Sequence, residues 1–300
     1  MKPNLCLGTA QFGMHYGVTN NQNRLNSEQI CSILKYATNK SVVFLDTAQS
    51  YGNAEELIGL SSLSANFKII SKITFPKKIL SLLELKEILE NNIKKTLVNL
   101  NVESLEGLLF HNPSDLKTQY GMDILSWILD LKRNGLFKRI GISIYSEEDL
   151  IDIPIDKFDI VQLPISIYDQ RFLRNKIIPF LKAKNISVHI RSIFLQGIIL
   201  SDNNAFPKFL SKEFKDHHSR FINTLKILNT NSLLAALNFV KNIDNVEAIL
   251  FGISNFQDLQ EILLAWENVD SFDKSNKIDF YKFSWNNIDE LDPRKWNISI

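Results

Sequence analysis

One stretch of the chain decides its fold, and it reads Val42-Val43-Phe44-Leu45-Asp46-Thr47-Ala48-Gln49-Ser50-Tyr51-Gly52. The apolar, partly β-branched residues at 42–45 predict a buried strand, because such runs are typical of strands that are covered on both faces. The strand ends in reactive polar groups, of which Asp46 and Tyr51 are the candidates for chemistry. We interpret the stretch as a strand that delivers a carboxylate and a phenol at its carboxyl end.

A tyrosine in such a place needs a cation before it can act as an acid. The unperturbed pKa of tyrosine is about 10, so a nearby positive charge must stabilise the phenolate if the side chain is to give up a proton near neutral pH. Two further strand-like runs end in suitable groups: residues 68–72 end at Lys72, and residues 105–111 end at His111. Four reactive side chains therefore follow three consecutive predicted strands.

Apolar runs alternate with helix-like segments along the rest of the chain. No Gly-Xaa-Gly-Xaa-Xaa-Gly turn follows any of these runs, which counts against a Rossmann domain. Eight strands separated by helices instead predict an α/β fold with right-handed crossovers around a closed parallel barrel. The predicted strands cover residues 4–9, 42–46, 68–72, 105–111, 139–143, 158–163, 187–192 and 246–251.

The length of the chain fits one such barrel. The chain has 300 residues, of which 45% are hydrophobic, and a barrel of this kind takes about 250 residues as one domain. We therefore predict a single domain over residues 1–300. Residues 201–232 are predicted to be an insertion between the seventh and eighth strands, forming a lid, an added helix or a disordered segment. The aromatic tail at 272–300 is predicted either to pack over a barrel helix or to form one wall of a substrate pocket.

Charge and composition exclude several classes of protein. Lys and Arg total 34 against 33 acidic residues, so the net charge of +1 gives no general attraction for nucleic acid or an anionic membrane. No apolar run approaches the roughly 20 residues of a membrane span, and a strand so close to Met1 leaves no room for a signal peptide, so we expect a cytoplasmic protein.

Cys6 and Cys31 lack metal-ligand spacing and are interpreted as packing residues. The adjacent His217 and His218 point in different directions on a helix, so we do not predict a metal site.

Taken together, these motifs resemble the aldo-keto reductase superfamily over nearly the whole chain. The pattern Asp-Thr-Ala-Xaa-Xaa-Tyr-Gly falls on Asp46 and Tyr51, the pattern Ser-Lys on Lys72, and the pattern Leu-Xaa-His-Xaa-Pro on His111 and Pro113. The resemblance implies a (β/α)8 TIM barrel with an Asp-Tyr-Lys-His tetrad, a nicotinamide cofactor (NADP or NAD) and a small-molecule carbonyl substrate.

The same resemblance implies a mechanism. A hydride passes between the nicotinamide and a carbonyl carbon, while Tyr51 protonates the developing alkoxide. Lys72 would lower the pKa of Tyr51, Asp46 would orient Lys72, and His111 would donate a hydrogen bond to the carbonyl oxygen. The sequence identifies neither the substrate nor the direction of the reaction.

Further family positions predict the cofactor site and the substrate site. Ile144 and Ile262 stand where the family usually has Asn, and Asp258 stands where members that prefer NADPH commonly have Arg. We therefore expect NADH to bind within about tenfold of NADPH, because a carboxylate repels the 2′-phosphate. Phe12 and Tyr16 of the first loop are predicted to contact the substrate. The predicted cofactor-binding residues are Ser143, Gln162, Phe194, Gln196, Gly197, Gly252, Ser254, Asn255, Asp258 and Glu261.

Two other functions stay open at this point. The departures at Ile144 and Ile262 are compatible with a non-catalytic barrel that binds nucleotide and acts as a sensor or accessory subunit. In a different kind of barrel enzyme, Lys72 would form a Schiff base with a carbonyl substrate. Three outcomes distinguish these functions. Oxidation of a reduced nicotinamide favours the reductase, nucleotide binding without turnover favours the sensor, and borohydride trapping of a covalent adduct favours the Schiff-base enzyme.

Overall fold

A computed structural model describes residues 2–19, 24–78, 81–201, 206–275 and 278–296. Its centre is a closed barrel of eight parallel strands in sequential order, so the predicted fold class is confirmed. Parts of the predicted first loop, insertion and tail, at 20–23, 202–205, 276–277 and 297–300, lie outside the described residues. The strands are β1 (Asn4–Gly8), β2 (Phe44–Asp46), β3 (Lys68–Ile73), β4 (Leu105–Phe110), β5 (Phe137–Ser143), β6 (Ile160–Pro164), β7 (Ser187–Arg191) and β8 (Ala248–Phe251).

The barrel closes because its strands are apolar on both faces. Pairing of β1 with β8 joins Cys6 to Leu250, and pairing of β1 with β2 joins Cys6 to Phe44. One set of side chains fills the barrel interior, and a larger set packs between the strands and the surrounding helices. The interior set is Cys6, Phe44, Ile70, Leu109, Ile160, Ala248 and Leu250.

Helices follow the strands and cover the outside of the barrel. The helix that begins at Ser27 is capped by Asn26, because the side chain of Asn26 accepts from the Gln29 N–H and the side chain of Gln29 accepts from the Asn26 N–H. The helices are α1 (Ala10–Gly13), α2 (Ser27–Asn39), α3 (Ala54–Leu60), α4 (Leu82–Leu100), α5 (Gly121–Arg133), α6 (Arg171–Arg174), α7 (Ile177–Ala183), α8 (Lys212–Ile227), α9 (Ser232–Lys241), α10 (Phe256–Ser275) and α11 (Ile288–Leu291).

The predicted insertion contributes α8, and the C-terminal tail packs against it. Rings of Phe214 and Trp285 meet edge to face with centroids 5.5 Å apart, and those of Phe221 and Phe283 do so at 5.1 Å. The backbone N–H of Trp285 donates to the carbonyl oxygen of Tyr168 at 2.8 Å. These contacts favour the packing interpretation of the tail over the substrate-wall interpretation. The extent of a single domain over the whole chain stays a prediction.

Two glycines, Gly13 and Gly52, allow a close backbone contact beside Tyr51. A Cβ on Gly13 would lie 1.8 Å from the carbonyl oxygen of Tyr51, and a Cβ on Gly52 would lie 2.3 Å from the carbonyl oxygen of Gly13. Gly52 also has φ of +59°, a conformation that glycine adopts at little cost. The backbones of α1 and of the turn after β2 can therefore touch, which fixes the height of Tyr51 at the barrel mouth.

None of the helices within the described ranges combines the length and the apolar composition that crossing a bilayer requires.

Candidate active site

A buried ion pair lies at the carboxyl ends of β2 and β3. Lys72 Nζ is 2.5 Å from Asp46 Oδ1 and 3.0 Å from the carbonyl oxygen of Thr47. The side chains of Lys72 and Asp46 are only 1% and 5% exposed, so each charge depends on the other and on nearby hydrogen bonds in place of water. The pairing holds the ammonium group in one position.

Tyr51 stands above this pair. Its hydroxyl oxygen lies 3.4 Å from Lys72 Nζ, within reach of a hydrogen bond from the ammonium. The ring of His111 meets the Tyr51 ring edge to face, with centroids 6.0 Å apart. On its other side the imidazole Nδ1 lies 3.3 Å from Ser50 Oγ. The structure thus brings together the four residues that the sequence predicted to form a tetrad.

The electrostatics of Tyr51 differ from the sequence-based expectation. Burial raises the pKa of Tyr51 well above its usual value of about 10, Asp46 raises it further, and Arg191 opposes the rise. The expected lowering of the Tyr51 pKa by Lys72 does not dominate, because the ammonium is neutralised by Asp46 at contact distance. Tyr51 is therefore held as a neutral phenol that can donate a hydrogen bond or a proton.

His111 is held neutral as well. Burial, followed by the charges of Lys72 and Arg191, lowers the pKa of His111 to about 3. A neutral imidazole has one N–H and one bare nitrogen. If the Ser50 hydroxyl donates to Nδ1, then Nε2 carries the proton and is the hydrogen-bond donor.

Ser143 and Gln162, predicted to bind the nicotinamide amide, are paired on neighbouring strands and buried. Gln162 Nε2 donates to Asp46 Oδ2 at 2.7 Å, so this amide fixes the second oxygen of the carboxylate. Neither side chain lines the large cavity at the carboxyl ends of the strands. Gln162 therefore positions Asp46, and its prediction as a cofactor contact stays a prediction.

A cavity of about 510 Å³ opens at the carboxyl ends of the strands. Asp46 and Tyr51 line it, whereas Lys72 and His111 do not line it but both contact Tyr51. Most of the predicted cofactor residues line this cavity; Ser143, Gln162 and Asn255 do not. Those that line it are Phe194, Gln196, Gly197, Gly252, Ser254, Asp258 and Glu261.

The segment after β7 wraps one wall of the cavity in an unusual backbone conformation. Leu195, Gln196 and Gly197 have φ values of +47°, +52° and +94°, and a Cβ on Gly197 would lie 1.9 Å from Thr19 Oγ1. Thr19 Oγ1 also donates to the carbonyl oxygen of Gln196 at 3.2 Å. The first loop is thereby tied to this wall. The N–H groups of Leu195 and Gly197 donate to the carbonyl oxygens of Ser192 and Phe194 at 2.9 and 3.0 Å, which holds the turn in this conformation.

The start of α10 forms another part of the wall. Asn255 Oδ1 accepts from the Asp258 N–H at 2.8 Å, and Asp258 Oδ2 accepts from the Ser254 N–H at 2.7 Å. Glu261 accepts from Gln257 Nε2 at 2.7 Å. Asp258 therefore already satisfies one of the N–H groups that a phosphate at this helix start would use.

The two predicted substrate residues differ in position. Phe12 in α1 is fully buried in the core and does not line the cavity, so the structure does not support its prediction as a substrate contact. The reason is the helical turn of α1, which directs the ring inward although the loop as a whole lies at the barrel mouth. Tyr16 is 37% exposed and lines the cavity.

Sequence reasoning missed Arg191, which ends β7 and lines the cavity. Its guanidinium lies over the ring of Tyr145, with the central carbon 3.8 Å from the ring centroid. A signal for it existed, since Arg191 is a charged residue at a strand end like Lys72.

His217 and His218 have structural partners. His218 Nδ1 lies 2.6 Å from the Tyr168 hydroxyl, and His217 Nε2 lies 3.0 Å from the carbonyl oxygen of Phe283. No grouping of three or more potential ligands from His, Cys, Asp and Glu is close enough to hold a metal ion within the part of the chain that the structure describes.

The protein is thus a parallel α/β barrel in which a buried Lys-Asp pair lies behind a tyrosine that lines a large cavity. The chain belongs to the Aldo/keto reductase family, whose model matches residues 4–280. It is accordingly an oxidoreductase of that superfamily, whose members act on small carbonyl compounds.

Solved structures share the architecture. Aldo-keto reductase AKR11C1 from Bacillus halodurans, in its holo form, is 16% identical with a TM-score of 0.68 and covers 93% of this chain and 95% of its own. A Pseudomonas aeruginosa protein assigned to the aldo-keto reductases is 18% identical with a TM-score of 0.64, covering 89% of this chain and 91% of its own. Identities this low show the fold alone. No curated protein matches the chain.

Proposed function

We propose that the protein reduces a carbonyl compound to an alcohol with NADH or NADPH, and that Tyr51 is the general acid. The observation that carries the proposal is the contact of Tyr51 with both Lys72 and His111 at the edge of the cavity. A reduced nicotinamide, when bound, would supply the hydride that the protein's own side chains lack. The rest of the chemistry is hydrogen bonding and proton transfer by this chain.

Each side chain has one role in this scheme. Tyr51 holds a proton at its hydroxyl oxygen and gives it to the substrate oxygen as negative charge develops there. His111, neutral and with Nδ1 turned to Ser50, would donate from Nε2 to the same oxygen. Lys72, held by Asp46 at 2.5 Å, stabilises the phenolate that remains after proton transfer. In the reverse direction Tyr51 is the base.

The cavity walls fit a nicotinamide dinucleotide. In the family arrangement the phosphates lie against the backbone at 195–197 and the start of α10. The N–H groups of Leu195 and Gly197 already donate to the carbonyl oxygens of Ser192 and Phe194, so a phosphate would have to use the neighbouring N–H groups or displace these bonds. Phe194 offers a ring for stacking. Gly252 leaves room there for the amide of Gln11, which would have to move for a larger residue because a Cβ would lie 2.8 Å from Gln11 Nε2. Asp258 and Glu261 would lie near the adenosine in the family arrangement, which supports NADH as an effective cofactor.

The proposal is tested by following the absorbance of reduced nicotinamide across a panel of aldehydes, ketones and sugar derivatives. We expect turnover with at least one carbonyl class in the wild-type protein and its loss in Tyr51→Phe. Turnover that survives in Tyr51→Phe would contradict the assignment of Tyr51. Nucleotide binding without turnover of any carbonyl would instead favour the non-catalytic sensor, which the departures at Ile144 and Ile262 keep as an alternative.

The geometry argues against the Schiff-base alternative. A Schiff-base lysine must be unprotonated and must reach the substrate. Lys72 is 1% exposed, is paired with the Asp46 carboxylate at 2.5 Å, and does not line the cavity. Borohydride treatment with an aldehyde should therefore leave Lys72 unmodified, as mass spectrometry of the digested protein would show.

A further inference from the structure

Arg191 is the only cation among the described residues that line the cavity. It is the last residue of β7 and shares the cavity with Tyr51 and Tyr16. The proposed hydride transfer assigns it no task. Its position beside the candidate acid therefore requires a separate explanation.

The guanidinium of Arg191 is held in place. It stacks 3.8 Å from the centroid of the Tyr145 ring, NH2 donates to the carbonyl oxygen of Ile144 at 2.9 Å, and NH1 donates to Ser192 Oγ at 3.3 Å. Arginine has five N–H donors, so these two bonds leave the Nε–H and one N–H on each terminal nitrogen. Because the side chain is already fixed, it loses little further conformational entropy when a ligand binds.

The charge of Arg191 is not compensated by a carboxylate of the described residues. Arg294, on Tyr145 at 3.9 Å from the ring centroid, is neutralised by Asp292 at 2.6 Å. Asp46 is committed to Lys72 and Gln162. With His111 neutral, the catalytic side of the cavity carries one positive charge that its own side chains do not balance.

We propose that the carbonyl substrate carries a carboxylate and that Arg191 binds it. This inference rests on the proposed function, because it names the substrate class of the same cavity. A carboxylate matches the planar guanidinium and its parallel N–H groups, and a single negative charge balances the single positive one. A phosphate dianion would be left with an unbalanced charge beside Asp46 and Tyr51.

The test compares two aldehydes of nearly equal shape, 4-carboxybenzaldehyde and its neutral methyl ester. We expect the wild-type protein to show a kcat/KM for the acid at least about tenfold above that for the ester, because a hydrogen-bonded charge pair contributes at this level. Arg191→Gln should remove that preference mainly through KM, and Arg191→Lys should restore part of it. Arg294→Gln is the matched control: it removes a guanidinium on Tyr145 that is already neutralised, so the ratio should stay at the wild-type value.

Other outcomes overturn the inference. A ratio near one in the wild-type protein, or a ratio that Arg191→Gln leaves unchanged, would show that Arg191 does not bind a substrate carboxylate. Weaker binding of NADH in Arg191→Gln, with the acid-to-ester ratio unchanged, would assign the guanidinium to the cofactor. A stronger Arg191 dependence for glyceraldehyde 3-phosphate against glyceraldehyde than for the benzaldehyde pair would replace the carboxylate by a phosphate.

Failure of the proposed function gives a different result. In that case neither aldehyde is reduced, and the inference is decided by binding. The protein is titrated calorimetrically with 4-(hydroxymethyl)benzoate and with its methyl ester. The acid should bind, and Arg191→Gln should weaken this binding about tenfold or more. Equal affinities for acid and ester would overturn the inference without reference to catalysis.

Discussion

The barrel has a buried ion pair in one half and a partly buried charge cluster in the other, and the two differ in what surrounds them. Asp46 and Lys72 lie at the carboxyl ends of the strands, beneath a tyrosine that faces the cavity. In the amino-terminal half, Glu247 Oε2 lies 2.7 Å from Arg139 NH1 and 3.0 Å from His189 Nε2. The described residues that line the cavity include none of these last three.

The difference teaches that an ion pair withdrawn from solvent inside the barrel is not by itself a sign of catalysis. Both clusters shift pKa values: burial raises the pKa of Tyr51, and although burial alone would raise the pKa of Glu247, the hydrogen bonds and charges of His189 and Arg139 lower it to about 2. Only the first cluster has a neutral acid that a substrate can reach. We therefore expect the first cluster to govern turnover and the second to govern stability.

The strongest test of this division removes the Tyr51 hydroxyl. Tyr51→Phe should lower kcat by about 10²-fold or more, because general-acid catalysis contributes at this level, while the unfolding midpoint and NADH affinity stay nearly unchanged. Lys72→Met should be equally damaging, and the double variant should be little worse than either single variant. Tyr281→Phe, at a side chain that is 71% exposed, serves as the control with wild-type kinetics. Additive losses in the double variant would show that the two residues do not act as a unit.

Glu247→Gln tests the opposite cluster. It should lower the free energy of unfolding at neutral pH by about 2 kcal/mol, because it removes the carboxylate that accepts from His189 and one of the two carboxylates paired with Arg139, which keeps Glu106 at 3.1 Å. It should leave kcat unchanged. The folded pKa of Glu247 is depressed, so its contribution is complete above the unfolded value of about 4.3 and is lost as the pH falls towards about 2.

Urea unfolding at pH 7 and at pH 3.5 measures this effect, and the loss of stability should be smaller at the lower pH. Glu267→Gln is the control, since its pair with Lys40 is 3.0 Å long but on the surface, where such pairs contribute about 0 to 1 kcal/mol. A loss of turnover in Glu247→Gln without a loss of stability would break the division between the two clusters.

A smaller effect is expected at the start of α10. NADH should bind within about tenfold of NADPH, because Asp258 repels a 2′-phosphate. Asp258→Asn keeps an acceptor for the Ser254 N–H while removing the charge, so it should tighten NADPH binding several-fold at low salt and leave NADH binding unchanged. Fluorescence titration at low and high salt measures both. A preference of the wild-type protein for NADPH beyond about a hundredfold would show that a cation from elsewhere reaches the phosphate.

The smallest expected effect is that of pH on carbonyl reduction. Reduction needs Tyr51 protonated, and a raised pKa keeps it protonated as the pH increases. It also needs His111 neutral, which a pKa of about 3 secures above that pH. The kcat/KM for reduction should therefore be nearly flat from about pH 5 to pH 9, whereas alcohol oxidation should accelerate with pH. A fall in the reduction rate near pH 7 would show that Tyr51 titrates normally.

The strands and the four tetrad residues were predictable because each depends on local pattern. Apolar runs mark the strands, and the order of parallel strands places their carboxyl ends at one face. The environment of each side chain was less accessible, because it depends on contacts between distant parts of the chain. The inward ring of Phe12, the bond from Gln162 to Asp46 and the stacking of Arg191 on Tyr145 are of this kind.

Helix α3 shows the same limit. Acidic residues in the first turn of a helix ordinarily face solvent and favour the helix dipole. Glu55 is instead buried and accepts from Ser71 Oγ at 2.6 Å and from Thr96 Oγ1 at 3.0 Å. A carboxylate beside the strand that bears Lys72 was visible in the chain only as one more exposed helical acid. Burial, which decides its role, comes from the packing of α3 against α4.

The contact between Gly13 and Gly52 limits how this protein can diverge. Any side chain at Gly13 would meet the backbone of Tyr51, not a flexible neighbour, so the acid could not be re-aimed by small steps at this position. Residues on the cavity wall, such as Tyr16 and Arg191, carry no such backbone constraint and can be exchanged one at a time. Directed evolution of new substrate preferences should therefore accumulate replacements on the wall and leave the two glycines untouched.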